Sequence, residues 1–266
     1  MRQSNFMMGG GVPVVVKNLL IINVVVYIFC ITFQENNILT DFVWRYLPKF
    51  DPQNMLALHY WDSSAFNLAQ MVTYMFLHSL QDMSHLFFNM FSLFMFGSAV
   101  EYALGPKRFL TFYMISGIGA AIVQEVFWTI DLQRFLAQFS DLSNLANNTL
   151  ISVNGESMTV TELLAYRDGV LSSLTTVGAS GAVFGLLLAY GMLFSESTIY
   201  VFFVLPVKAK YFVVFYALVE LFCGVRVATS EASDGIAHFA HLGGLVFGFL
   251  MIWYWKKKRT LYSRMD

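Results

Sequence analysis

The sequence predicts an all-α polytopic membrane protein: six membrane-crossing helices in one bundle, with the N- and C-termini both cytoplasmic. Three observations lead there. The 266-residue chain is 57% hydrophobic and only 12% charged, against about a quarter charged in soluble domains. Its apolar residues gather near 14–33, 84–104, 108–129, 178–195, 211–227 and 237–255, in runs suited to roughly 30 Å of hydrocarbon. The basic residues are lopsided. With the N-terminus inside, Arg2, Lys17, Lys107, Arg108, Lys208, Lys210, Lys256, Lys257, Lys258, Arg259 and Arg264 lie on the inner side, and only Arg45, Lys49, Arg134, Arg167 and Arg226 on the outer. That is the asymmetry of the positive-inside rule.

The elements follow in order. The first segment has Arg2 and Lys17 upstream, but no small-x-small cleavage site follows it. Gln34-Glu35-Asn36-Asn37 reads as a plain membrane exit, so the segment is expected to be an uncleaved anchor. Between the third and fourth lies a long outer insert, about 130–176. There Leu132, Phe135, Leu136, Phe139, Leu142 and Leu145 share a helical face suited to the membrane surface. Ile151 to Met158 reads as a hairpin with Asn154-Gly155 at its turn, and Thr161 opens a short helix reaching Leu174. Asn147-Asn148-Thr149 is a glycosylation sequon, meaningful only in a eukaryotic secretory route. Ile199 to Leu205 is apolar but runs into Pro206-Val207-Lys208-Ala209-Lys210, as an interfacial segment before the fifth crossing would. Cys30 and Cys223 both sit in apolar stretches and read as small buried hydrophobes.

Three polar patterns open three of these helices. They are His85-Leu86-Phe87-Phe88-Asn89, Gly178-Ala179-Ser180-Gly181, and Ala240-His241-Leu242-Gly243-Gly244 with Gly248 one turn on. Ionisable groups in a membrane segment suggest function, because hydrocarbon supplies no water to satisfy them. In the predicted topology the second, fourth and sixth helices all run from outside to inside. His85, Ser180 and His241 then share one depth, just under the outer surface. Gly181, Gly185 and Ala189 make a small-residue stripe on the fourth helix, and Ala240, Gly244 and Gly248 make one on the sixth. Such stripes let helix backbones approach closely. If these two meet, Ser180 comes within reach of His241.

That combination permits acyl transfer. A serine hydroxyl needs a base, and neutral imidazole serves near neutral pH. His85 and Asn89 are one turn apart on a single face and could donate to a developing oxyanion. The unpaired N–H groups at the start of the fourth helix could do the same. Phe184, one turn below Ser180, could pack against the imidazole of His241. No carboxylate is an obvious third member: Asp234 lies in a loop, so the machinery reads as a Ser–His dyad. Glu220, within the fifth segment, is expected to face a cavity or the inner bundle.

Across essentially all six helices the chain resembles the rhomboid family of intramembrane serine proteases. The resemblance implies one rhomboid-type membrane domain over 1–266. It makes Ser180 the nucleophile, His241 the general base, and His85 with Asn89 the oxyanion pair. Gly178, Gly181, Phe184, Gly185, Gly244 and Gly248 support and pack the site. Glu101-x-x-x-Gly105 followed by Arg108-Phe109 is similar to the family's turn between the second and third helices. Two features depart from the family's minimal form: the long insert, and a first outer loop whose only Trp-Arg pair is Trp44-Arg45.

The function expected is therefore an endopeptidase of the membrane, acting near its outer face on single-span or membrane-anchored proteins that enter laterally. The membrane expected is a bacterial cytoplasmic one. No cofactor and no metal are implied: His78, His85, His238 and His241 could gather near the outer surface, but no His-Glu-x-x-His occurs. Partners are the lipid bilayer and the substrate helices. A net charge of -1 gives nucleic acid no basic footprint to bind. The competing readings are a non-catalytic relative that binds client helices, against which stand Ser180 and His241, and a small transporter built around Glu220.

Overall fold

The computed structural model describes residues 11–33, 51–140, 142, 145–153, 156–201, 204–229 and 235–258. Trp44-Arg45, Asp234 and the Asn154-Gly155 turn lie outside these described residues. Helices occupy all six apolar segments: Val14–Thr32, Met83–Leu104, Pro106–Asp131, Ser180–Leu193, Ala209–Thr229 and His238–Lys257. They are called the first to sixth helices below. By length and composition the first, second, third and fifth can cross a membrane. The fourth has only 14 residues and is enclosed by its neighbours, burying Gly181, Ala182, Val183, Gly185, Leu186, Leu187, Ala189 and Gly191.

Local chemistry sets the helix ends. Asp82 caps the second helix, its carboxylate accepting the Ser84 N–H at 2.9 Å. Leu93–Gly97 forms a π-helical turn within that helix. It ends at Gly105, whose φ of +78° suits a residue without a Cβ. Pro106 then begins the third helix, where its missing N–H costs nothing. Glu101 spans two helices. Its carboxylate accepts the N–H groups of Val15 at 3.0 Å and Val16 at 2.8 Å, capping the first helix where a negative charge is favoured.

The two small-residue stripes face each other, and the third helix joins them. A Cβ on Gly244 would overlap the Gly181 carbonyl, and one on Gly248 would come within 3.0 Å of Gly185 Cα. A Cβ on Gly185 would meet Ser116 at 2.7 Å and the Gly244 carbonyl at 3.0 Å. The third helix adds Gly119 beneath the Phe247 ring and Ala120 against Gly181. The fourth helix is thus wedged between the third and sixth at backbone contact.

The insert differs from its expected form in two ways. Its second helix is Val160–Ser173, starting earlier than Thr161. Thr159 is the cap because only it has a glutamate three residues on: its hydroxyl accepts the Glu162 N–H, and Glu162 reaches back to the Thr159 N–H. Five of the six residues of the predicted apolar face pack against other side chains, while Leu145 is exposed. Leu132, Phe135 and Leu136 join the main core, while Phe139 and Leu142 build a small core with Val160 and Leu163. Between them Leu150–Val153 and Glu156–Thr159 pair as the expected hairpin, Ile151 opposite Met158.

The insert is also stitched to the segment before the second helix. Leu58–His59 pairs antiparallel with Thr175–Thr176. Asp168 accepts the Ser64 N–H at 2.8 Å, and Arg167 forms an ion pair with Asp62. Where an interfacial segment was predicted, Thr198–Val201 and Leu205–Lys208 form a second hairpin. Thr198, Ile199, Tyr200 and Val201 are all β-branched or aromatic, which favours a strand. Both cysteines are free thiols, Cys30 buried and Cys223 half-buried.

Candidate active site

Ser180 is the first residue of the fourth helix, and His241 lies in the first turn of the sixth. The touching stripes bring them together. Ser180 Oγ stands 2.8 Å from His241 Nε2. The ring of Phe184 stacks on the imidazole, with centroids 4.2 Å apart and planes 13° from parallel. His241 is held on its other side as well. Its Nδ1 lies 2.9 Å from Glu220 Oε2, and His238 Nδ1 lies 2.7 Å from the same oxygen. All three residues are buried.

These contacts assign the tautomer of His241. A carboxylate only accepts, so Nδ1 carries the proton and Nε2 is left to accept from Ser180. His85 is held the opposite way. Its Nδ1 accepts the Ser79 backbone N–H at 3.3 Å, so its proton sits on Nε2. That nitrogen faces the nucleophile: a Cβ at Gly178 would lie 2.9 Å from His85 Nε2 and 3.5 Å from Ser180 Oγ. Gly178 has a φ of +131° and donates its N–H to the Tyr74 carbonyl at 2.9 Å. Any side chain at Gly178 would be strained and would displace the His85 ring. Tyr74 is anchored in turn, its hydroxyl donating to the Gly117 carbonyl at 2.7 Å.

Asn89 is buried one turn below His85 and donates an Nδ2 N–H to the His85 carbonyl at 2.9 Å. Only its second N–H is left for the cavity, so it is a lesser donor than the sequence suggests. Ser180, His241, His85 and Asn89 line one open cavity of about 1310 Å³. Thr175 and Thr176, at the end of the insert, also border it. His78 is buried against the His85 ring at 5.2 Å between centroids. Burial, with His85 beside it, lowers its pKa to about 3, so it packs as a neutral ring.

Glu220 is buried in the bundle, as its place in an apolar segment leads one to expect, but sequence reasoning missed its contacts with His238 and His241. His238, three residues before His241, is buried against Glu220. The signal was present: one acid in an apolar helix, and two histidines three residues apart at the mouth of the next. Among the described residues, Glu220, His238 and His241 also form a group whose ligand atoms lie within 4.8 Å of one another. Both Nδ1 atoms, however, touch Glu220 Oε2 at hydrogen-bond distance. Donors bound to a tetrahedral zinc at about 2.0–2.2 Å stand more than ~3 Å apart. The spacing is that of a hydrogen-bonded network.

The Rhomboid domain family model matches residues 65–132 and 135–258, well over half of the chain. Among curated proteins, Rhomboid protein 1, mitochondrial, of Saccharomyces cerevisiae is 29% identical over 182 residues, covering 67% of this chain and 40% of that one. The uncharacterized rhomboid protein P4H10.10, mitochondrial, of Schizosaccharomyces pombe is 27% identical over 231 residues, 75% of this chain and 56% of its own. Rhomboid protease AarA of Providencia stuartii is 29% identical over 183 residues, 66% of this chain and 52% of its own. The chain spans about half the length of the curated relatives it matches.

Proposed function

Because this chain belongs to the rhomboid family and is an integral membrane protein, we propose that it is an intramembrane serine endopeptidase. Its substrates are single-span or membrane-anchored proteins, cut near the outer face of a bacterial cytoplasmic membrane with both termini of the enzyme inside. The observation that carries this reading is the 2.8 Å contact between Ser180 Oγ and His241 Nε2, at the mouths of two helices and beside an open cavity. A relative named as a protease supports it.

In the reaction, His241 Nε2 takes the Ser180 hydroxyl proton as Oγ bonds to the scissile carbonyl carbon. The carbonyl oxygen becomes an oxyanion, which His85 Nε2–H and the free N–H groups at the start of the fourth helix stabilise. Collapse breaks the C–N bond, and the His241 imidazolium returns its proton to the leaving amine. Water, activated by the same imidazole, then releases the acyl group from Ser180. A peptide bond within a helix is shielded from this attack, so the substrate must unwind at the cut.

Labelling of the purified protein with a fluorophosphonate tests the reading. The wild type is expected to be labelled at one site and Ser180→Ala not at all. Equal labelling of the two would overturn the assignment of Ser180. The oxyanion donors make a finer prediction: His85→Ala should lower kcat by on the order of 10²–10³ with KM little changed. Asn89→Ala should cost less, since one of its N–H groups is already committed to the His85 carbonyl. Cleavage kinetics on a model substrate check this. An effect confined to KM would make both residues substrate contacts.

A further inference from the structure

Glu220 is an acid within an apolar helix, a costly placement unless its charge is matched. Among the described residues its two partners come from the sixth helix, and both engage the same oxygen through Nδ1. Gly224, one turn on and on the same face, lets that helix close in. A Cβ there would lie 3.3 Å from His238 Cβ and 3.3 Å from the Phe239 ring. The carboxylate is therefore clamped: His238 fixes Oε2 from one side, and Oε2 receives the Nδ1 proton of His241 from the other. Across the imidazole, Nε2 meets Ser180 Oγ at 2.8 Å. The four groups form one chain, His238 to Glu220 to His241 to Ser180.

We propose that Glu220 is the positioning residue of the Ser180–His241 pair, so that a carboxylate held by His238 completes a serine–histidine–glutamate triad. This rests on the protease reading of Ser180. Glu220 does two things through His241. It keeps the proton on Nδ1, leaving Nε2 as the base, and it faces the imidazolium that forms once the serine proton has moved. In the poorly solvated interior of a helix bundle an opposite charge at 2.9 Å counts for more than it would in water. Phe184 supplies stacking contact but no charge, so the electrostatic role falls to Glu220.

The test uses the full chain with Glu220→Gln and Glu220→Leu. Gln keeps the size and an acceptor oxygen but removes the charge; Leu removes both. Folding is checked by helix content and thermal unfolding in detergent. In folded Glu220→Gln, kcat and the fluorophosphonate labelling rate should fall on the order of 10²-fold, and further in Glu220→Leu, with KM nearly unchanged. Imidazole ¹⁵N resonances, assigned by loss in His241→Gln, read the tautomer without any need for catalysis. The wild type should carry its proton on Nδ1, and Glu220→Leu should lose that preference. A wild-type proton on Nε2, or an unaltered tautomer in both variants, would overturn the proposal whatever the activity. So would wild-type kcat in the folded variants of a labelled enzyme. A wild type that is never labelled at Ser180 would instead sink the protease reading and leave the tautomer result standing by itself.

Discussion

Cleavage of a model membrane substrate is expected to fall by on the order of 10⁴ or more in Ser180→Ala, and by a similar factor in His241→Ala. The double variant should be no worse than either single one. Nucleophile and base act as a unit, so removing one leaves the other without a role, and the losses do not add. The geometry makes the serine substitution mild for the fold. Ser180 opens its helix, where alanine is tolerated, and its side chain borders an open cavity. His241→Ala removes a ring stacked on Phe184 and a donor to Glu220, so it should cost more stability. His241→Gln is the gentler companion. Single-turnover cleavage with unfolding monitored in parallel decides the matter. More than a few per cent residual cleavage in a folded Ser180→Ala protein would remove the dyad from the mechanism.

Gly244→Val should lose stability and activity together. A Cβ at this position would overlap the Gly181 carbonyl, which is backbone and cannot rotate away. Relief requires the fourth and sixth helices to part. Overpacking a tight interior costs about 1–3 kcal/mol where side chains can adjust, so this substitution belongs at or above ~3 kcal/mol. The same parting would stretch the hydrogen bond between Ser180 and His241, and activity should drop even in whatever fraction stays folded. Gly185→Val is the milder sibling, because it meets the Ser116 side chain as well as the Gly244 carbonyl. Gly169 is the control. It sits in the insert helix with nothing within 4 Å of its would-be Cβ, so Gly169→Ala should raise stability by roughly 0.5–1 kcal/mol. Thermal unfolding of the set, with labelling rates, would rank them. An undisturbed Gly244→Val protein would mean that the stripes do not carry the packing.

Much of this molecule can be read before any coordinates are drawn, for a reason specific to membranes. Hydrocarbon forces a crossing segment to satisfy its own backbone, so an apolar run becomes a helix with little ambiguity. Helices occur at all six positions named from hydropathy. The glycine stripes were legible on the same ground: small residues repeated every fourth position are a contact surface whichever helix lies opposite. Departures cluster where water returns. In the insert, the helix start was decided by which threonine has Glu162 at the capping offset. Before the fifth helix, Thr198–Val201 and Leu205–Lys208 pair as strands, because a short apolar run does not by itself fix its secondary structure.

The sequence by itself determined the helical class, the positions of the apolar helices, and the serine, histidines and asparagine that merit attention. Each of these depends on composition or on spacing within one segment. Only the tertiary structure decided what Glu220 and His238 do, which ring nitrogen of each histidine holds its proton, and that the insert is tied to the segment before the second helix. Those depend on how each helix is rotated about its axis. In the apolar fifth helix Glu220 marks the face expected to turn inward, but the pattern of that helix does not say which side chains of its neighbour meet the carboxylate. Packing supplies those partners: Gly224 lets the sixth helix approach, and the buried Glu220 carboxylate is met there by Nδ1 of two imidazoles.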